Sequence, residues 1–274
     1  MRKRQAPALG VLRLDYDYPP ALGDVDDPES FNYDVLYKVV PGLTFSMCQS
    51  GELTEDVTNA VVDSVRFLNS YHVNAITGDC GFMLNIQDLV KDHSDVPVFM
   101  SCLVQLPTII NTINSEAEIA IFTANSTSLA QIETELDRMS GLQEHSHRLQ
   151  IVGCQDVPGF EAVAMGQRVD TEKVGKGLIG LTNTVLRNKP KIECLLLECT
   201  ELPPYANLLR SVTGLPVYDA ITNCDFFMNG FLDNKNFGVH DWQESWDGNR
   251  EAYEFGDNLS SFERAQLDGG NSKK

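Results

Sequence analysis

The chain has 274 residues, 42% of them hydrophobic, with 21 Lys and Arg against 39 Asp and Glu, a formal charge of −18 and a pI near 4.5. A chain of this length buries roughly three-quarters of its unfolded surface, so it needs neither disulfides nor a structural metal to fold, and its charge opposes the counterion release that drives nucleic-acid binding. No apolar run approaches the ~20 residues of a membrane span, and the basic residues 1–4 have no apolar secretory core behind them; neither nucleic acid nor membrane is an expected partner.

The run at 10–14 (GVLRL) predicts a buried first strand, closed by the turn-prone DYDYPP at 15–20. A second strand is expected at 35–40. Apolar residues at 57, 61, 62, 65 and 68 fall on one face of a helix over 54–68, and Thr54 followed by Glu55 and Asp56 suits its N-terminus. A strand at 73–77, a helix at 86–91 and a strand at 96–102 follow. The pattern then restarts with a strand at 118–123, a helix at 129–139, a strand at 149–153 and a loop through Pro158 and Gly159. A long helix at 171–186, an apolar strand at 192–197, a helix at 203–212 and a strand beginning at 217–218 complete it. Such alternation implies an α/β fold of parallel sheets covered by helices on both faces. Beyond about 240 the chain is acidic and polar, and reads as a tail packed through Trp242 and Trp246, then disordered at 269–271.

Seven cysteines are scattered at Cys48, Cys80, Cys102, Cys154, Cys194, Cys199 and Cys224, an odd number with no Cys-x-x-Cys spacing. That argues against a disulfide framework or zinc site and for a reducing, intracellular compartment. Free Cys is by default a small buried hydrophobe. His145 and His147 lack further ligand types around them and read as a solvated turn. Gly175, Gly177 and Gly180 lie in a helical pattern without nucleotide-loop spacing. No metal or cofactor is expected.

Two of the cysteines are related by an internal repeat at an offset of 119 residues. Asp79-Cys80 aligns with Glu198-Cys199, and Pro97-Val98 with Pro216-Val217, each 17 residues from Cys to Pro. Leu89 matches Leu208, Lys91 matches Arg210 and Phe99 matches Tyr218 between and beside these anchors. Each Cys follows an apolar strand and precedes a helix, at the carboxyl end of a parallel strand where open α/β sheets place ligands. Two such halves would bring both thiols to one cleft, and a helix N-terminus would favour the thiolate as base or nucleophile. Two duplicated structural cysteines are the plainer alternative. The expected organisation is a first lobe over 1–115, a second over 116–224, and a segment at 225–274 that returns to the first lobe before the acidic tail. The other five cysteines are read as packing.

This duplicated strand-Cys arrangement resembles the aspartate/glutamate/hydantoin racemase superfamily. Within it, GVLRLDYDYPP at 10–20, YKVVPGLTF at 37–45, ITGDCGFM at 76–83, PVFMS at 97–101 and LECTELPP at 197–204 resemble the algal Alma-type dimethylsulfoniopropionate (DMSP) lyases. The resemblance implies two pseudo-symmetric lobes, a cofactor-independent reaction and a homo-oligomer. It implies a small sulfonium carboxylate as substrate, cleaved to dimethyl sulfide and acrylate by α-proton abstraction and β-elimination. The expected base is Cys199 with Cys80 opposite, and backbone N–H groups with the Thr77 and Thr200 hydroxyls would stabilise the enediolate-like species. Asp15, Tyr16, Asp17, Tyr18 and Phe82 are candidates for a cation-tolerant sulfonium pocket, although the Asp residues also suit a turn and the tyrosines ordinary packing. Asn125 and Ser126 are candidates for the substrate carboxylate, with helix capping by Ser126 or Thr127 as the other role. An aspartate, glutamate or hydantoin racemase is the alternative activity, and a non-catalytic binding protein is a third.

Overall fold

The computed structural model describes residues 6–130, 142 and 144–233. The first half builds a parallel sheet from β1 (Ala8–Arg13), β2 (Asp34–Val39) and β3 (Ala75–Gly78), in the order β2-β1-β3. The second half builds another from β4 (Glu118–Thr123), β5 (Leu149–Gly153), β6 (Ile192–Leu197) and β7 (Val217–Tyr218), in the order β5-β4-β6-β7. A parallel bridge between Ile76 and Val98 stands where the first sheet would have its fourth strand. The pairing of Leu195 with Val217 occupies the same place in the second sheet. These residues are separated by the 119-residue offset of the repeat, so the two halves share both strand order and register.

Strand alternation decides which core each side chain enters. Ile119 and Ile121 of β4, with Cys194 and Leu196 of β6, join the core formed by Leu9, Val11, Leu12 and Ile76 of the first sheet. Their neighbours Ala120, Phe122, Leu195 and Leu197 enter a second core with Val174, Leu178, Leu202 and Leu209. One face of the second sheet therefore shares its core with the first half.

The two long helices begin where side-chain oxygens can hold their first free N–H groups. Thr54 accepts from Val57 N–H at 3.3 Å to start Glu55–Ser70, which buries Val57, Val61, Val65 and Leu68. Asp170 accepts from Lys173 N–H at 3.0 Å to start Thr171–Asn188, which buries Val174, Leu178 and Thr182.

Several elements differ from the sequence expectation. The strand expected at 96–102 shrinks to the Val98 bridge, flanked by Ile76 N–H to Pro97 O and Phe99 N–H to Ile76 O, both 2.9 Å. Pro97 has no N–H to give, and the next partners belong to a side chain. Gln87 donates to Val98 O at 2.9 Å and accepts from Met100 N–H at 2.8 Å. The helix expected at 86–91 is Gln87–His93, preceded by a 3-10 stretch Gly81–Ile86. Short helices Phe45–Ser50, Leu106–Ile110 and Glu161–Ala164 stand where the sequence predicts no element. Ala220–Met228, begun by an Asp219–Thr222 capping box, crosses the expected boundary at 224/225 and buries Ala220, Cys224 and Met228 in the first core. The helix expected at 129–139 coincides only at its start with Ser126–Ala130; its remainder, and the tail with Trp242 and Trp246, lie outside the described residues. Among the described residues no helix is long and apolar enough to cross a membrane.

Gln87→Ala should leave Val98 C=O and Met100 N–H unpaired and lower stability by about 1–3 kcal/mol. Urea unfolding followed by circular dichroism would measure it; an unchanged midpoint would show that Gln87 does not hold this edge.

Candidate active site

At the carboxyl ends of β3 and β6 the chain turns abruptly, and the two turns lie against each other. The Thr200 hydroxyl donates to the Asp79 carbonyl, and the Cys102 thiol donates to Leu197 O at 3.2 Å. Gly81 is needed for this approach: a Cβ there would stand 2.0 Å from Glu198 Oε1 and 2.4 Å from Glu198 O. Cys80 and Cys199 both border the cavity that results, of about 470 Å³, and both are buried. Phe45, Phe82, Phe160 and Val163 supply apolar wall; Gln49, Asn125 and Gln155 supply amides. Among the described residues the charged members of the lining are Glu161, Glu198 and Glu201, with neither Lys nor Arg.

Cys199 has a defined proton partner. Its thiol donates to Glu201 Oε2 at 2.6 Å, and the same oxygen receives the Thr200 hydroxyl at 3.4 Å. Burial, with Asp26 adding like charge, pushes the Glu201 carboxyl up to about 7, against the lowering effect of these bonds. Glu198 is fully buried, and neither carboxylate oxygen has a hydrogen-bond partner among the described residues. Burial and the charge of Glu201 raise it to about 7; the Thr123 hydroxyl is near enough to oppose the rise, without the geometry of a hydrogen bond.

Both thiols are held well above their ordinary range, by burial first. Glu201 and Glu198 then add negative field at Cys199, and Cys48, Glu201, Glu198 and Asp79 do so at Cys80. The sequence had suggested helix N-termini favouring thiolates. Cys80 instead precedes a six-residue 3-10 stretch, and the turn after Cys199 reaches only the short 3-10 segment Pro203–Tyr205, so little aligned dipole opposes the acidic surroundings.

The candidate residues divide into those in the cavity wall and those that support it. Cys80, Cys199, Phe82, Asn125 and Thr200 border the cavity; Asp15, Tyr16, Tyr18, Thr77 and Ser126 do not. The Thr77 hydroxyl is committed to Phe99 O at 2.8 Å, as that of Thr200 is to Asp79 O, so neither is free as an oxyanion donor. Asp15 accepts from Gly42 N–H at 2.8 Å, closing the loop after β2. Asp17 is exposed, its carbonyl close to Gly166. Tyr18 donates to Asp24 at 2.8 Å beside a buried network in which Arg13 holds Asp26 at 2.9 Å and approaches Asp79 at 3.8 Å. Tyr16 donates to Val163 O and packs edge-on against Phe45, so it braces two wall residues. Asn125, rather than Ser126 or Thr127, caps the helix, accepting from Thr127 and Ser128 N–H at 3.0 and 3.2 Å. Ser126 instead receives the Gln155 amide at 3.2 Å.

Wall residues the sequence did not single out are Phe45, Gln49, Gln155, Phe160, Glu161, Glu198 and Glu201. Glu198 and Glu201 flank Cys199 in the chain, and that proximity was their available signal. The others arrive on short helices and turns without a hydrophobic period.

All seven cysteines are free and buried. Among the described residues no group of three or more His, Cys, Asp or Glu is arranged to hold a metal ion.

A carboxyl raised from 4.5 to about 7 on folding is accommodated while protonated, and its contribution to stability is lost as pH climbs through that interval. Glu201→Gln should therefore gain in melting temperature relative to the parent by several degrees between about pH 5 and about pH 8. A constant difference across that range would mean that Glu201 does not titrate there.

No family model matches the chain. Over 266 residues it is 49% identical to dimethylsulfoniopropionate lyase 7 of Emiliania huxleyi (strain CCMP1516), covering 95% of this chain and 78% of that protein. It is 45% identical over 258 residues to a dimethylsulfoniopropionate lyase of Durusdinium sp. clade D, covering 94% and 86% respectively. Among solved structures, Picrophilus torridus aspartate racemase superposes with a TM-score of 0.52 at 15% identity, over 82% of this chain and 94% of that one. Allantoin racemase from Klebsiella pneumoniae gives 0.52 at 14% identity, over 82% and 87%. At such identities these two establish a shared α/β fold of paired parallel sheets. By its extended identity to the algal enzymes, the chain belongs to the dimethylsulfoniopropionate lyase family.

Proposed function

We propose that the chain is a lyase that cleaves DMSP to dimethyl sulfide and acrylate without a cofactor. The observation that carries this is the cavity itself: two thiols border it, one hydrogen-bonded to a carboxylate, amid aromatic and acidic wall. The substrate is a zwitterion with a carboxylate at one end and a sulfonium at the other, and the cavity has negative and π-rich surface for the cation.

Glu201 accepts the Cys199 proton, and the thiolate so formed removes the proton from the carbon next to the substrate carboxylate. The β carbon–sulfur bond breaks as the new double bond forms. Dimethyl sulfide leaves neutral, acrylate keeps the carboxylate, and the abstracted proton stays on Cys199. In the empty cavity the acidic neighbours hold the thiol protonated. The sulfonium brings a positive charge that offsets their field and lowers the thiol pKa at the moment a base is required. Backbone N–H groups of Gly81 and Phe82 and the amides of Gln49, Asn125 and Gln155 are the donors proposed for the carboxylate and the enediolate-like species. Cys80 faces the substrate as a second thiol, which a single elimination does not need as a base.

The racemase alternative would use both thiols in turn. Among the described residues the lining has three glutamates and no cationic side chain, which disfavours aspartate or glutamate, whose second carboxylate would meet like charge.

Headspace sulfide release from DMSP tests the activity directly, and α-proton exchange of aspartate, glutamate and hydantoins in deuterated water tests the alternative. Cys199→Ser should lower kcat by about 10²–10⁴-fold, the range of a lost general base; Cys80→Ser should lower it less. Full activity in both variants would eliminate the thiol mechanism. The parent's kcat/KM should rise with pH through about 7, as the Cys199–Glu201 pair loses its proton; a flat profile there would remove Glu201 as acceptor.

A further inference from the structure

Among the described residues three carboxylates border the cavity, and two of them are engaged. Glu201 receives the Cys199 thiol at 2.6 Å. Glu161, at the end of a short helix, receives Gly159 N–H at 2.7 Å. Glu198 is fully buried, and among the described residues neither of its oxygens has a donor. It cannot be pushed aside toward the first half, because Gly81 already lies against its carboxylate and its carbonyl. A carboxylate desolvated in this way is costly unless it takes up a proton, as its raised pKa allows, or a positive charge accompanies it, and among the described residues the lining contains neither Lys nor Arg.

We infer that Glu198 is the specificity-determining counter-ion for the cationic end of the substrate, a dialkylsulfonium held against the rings of Phe45, Phe82 and Phe160 within the field of its carboxylate. A sulfonium has no N–H or O–H to donate. It is recognised by charge and by contact with polarisable surface, which a carboxylate without directional partners and three aromatic walls provide. This assignment differs from the expected sulfonium pocket of Asp15, Tyr16 and Tyr18, none of which borders the cavity.

This assignment rests on the lyase reading, and the test separates the two. Binding of 3-(trimethylammonio)propanoate, cationic and slow to eliminate, is compared by calorimetry with that of 4,4-dimethylpentanoate, its neutral isostere. The parent should bind the cation at least about tenfold more tightly. Glu198→Gln should reduce that preference to less than about twofold, keep the affinity for the neutral isostere, and raise KM for DMSP at least about tenfold. Should Glu198→Gln fail to fold, Glu198→Asp should lower the preference at least about threefold, because the shorter side chain withdraws the charge. The assignment is overturned if the parent shows no preference, if the folded variants keep it, or if Glu201→Gln alone abolishes it. A parent that releases no sulfide from DMSP sinks the lyase reading; release together with an unaltered preference in Glu198→Gln sinks only the role of Glu198.

Discussion

Gly81 against Glu198 is the contact on which the rest of the site depends. A Cβ at 81 would overlap the Glu198 carboxylate, so only a residue without a side chain lets the turn after β3 lie on the turn after β6. Thr200 then reaches the Asp79 carbonyl, and the two cysteines border one cavity. The duplication makes this possible because each half delivers its Cys from an equivalent strand end. It does not make the turns alike: position 81 is Gly where its counterpart is Thr200, and position 82 is Phe where its counterpart is Glu201. One turn supplies space and an aromatic wall, whereas the other supplies a proton acceptor and a hydrogen-bond clasp.

The site is electrostatically unfavourable to itself. Glu198, Glu201 and Asp79 are buried with two thiols nearby; burial raises all five groups first, and Glu201 then raises Glu198, Asp79, Cys80 and Cys199 further. Arg13 relieves part of this from the far side through Asp26 and Asp79, without joining the cavity lining. Such repulsion costs stability, and clustering of perturbed groups around a cavity is typical of functional sites. It also keeps the thiols protonated, and so less prone to oxidation, until something positive arrives.

Much of the fold was legible because it is written in periods. The long helices at 55–70 and 171–188 show their apolar face and capping residue, and the strands at 118–123 and 192–197 are apolar runs of strand length. The 119-residue offset was legible as well, and it transfers to the structure as register: Ile76 with Val98, Leu195 with Val217. The site was harder to read because proximity in space leaves no periodic trace. Phe45, Phe160 and Gln155 come from separate short elements, and nothing in their local sequence links them. Tyr16 and Tyr18 were correctly placed near the end of the first strand, but direction of the hydroxyl decides function, and Asp24 and Val163 claim these two. Thr77 illustrates the same limit. It lies three residues before a cavity-lining cysteine, and its hydroxyl serves the Phe99 carbonyl.

Gln87 has a further bearing on how this molecule meets others. In a parallel pair, the residue opposite Ile76 turns its own N–H and C=O away, so Val98 O and Met100 N–H face outward from the sheet. The Gln87 amide takes both. A single side chain thus imitates part of the next strand. This occupies two of the groups an approaching β-segment would grip, and blunts the margin against runaway strand addition. Extension of the first sheet from one copy of this chain to another is thereby hindered at Val98.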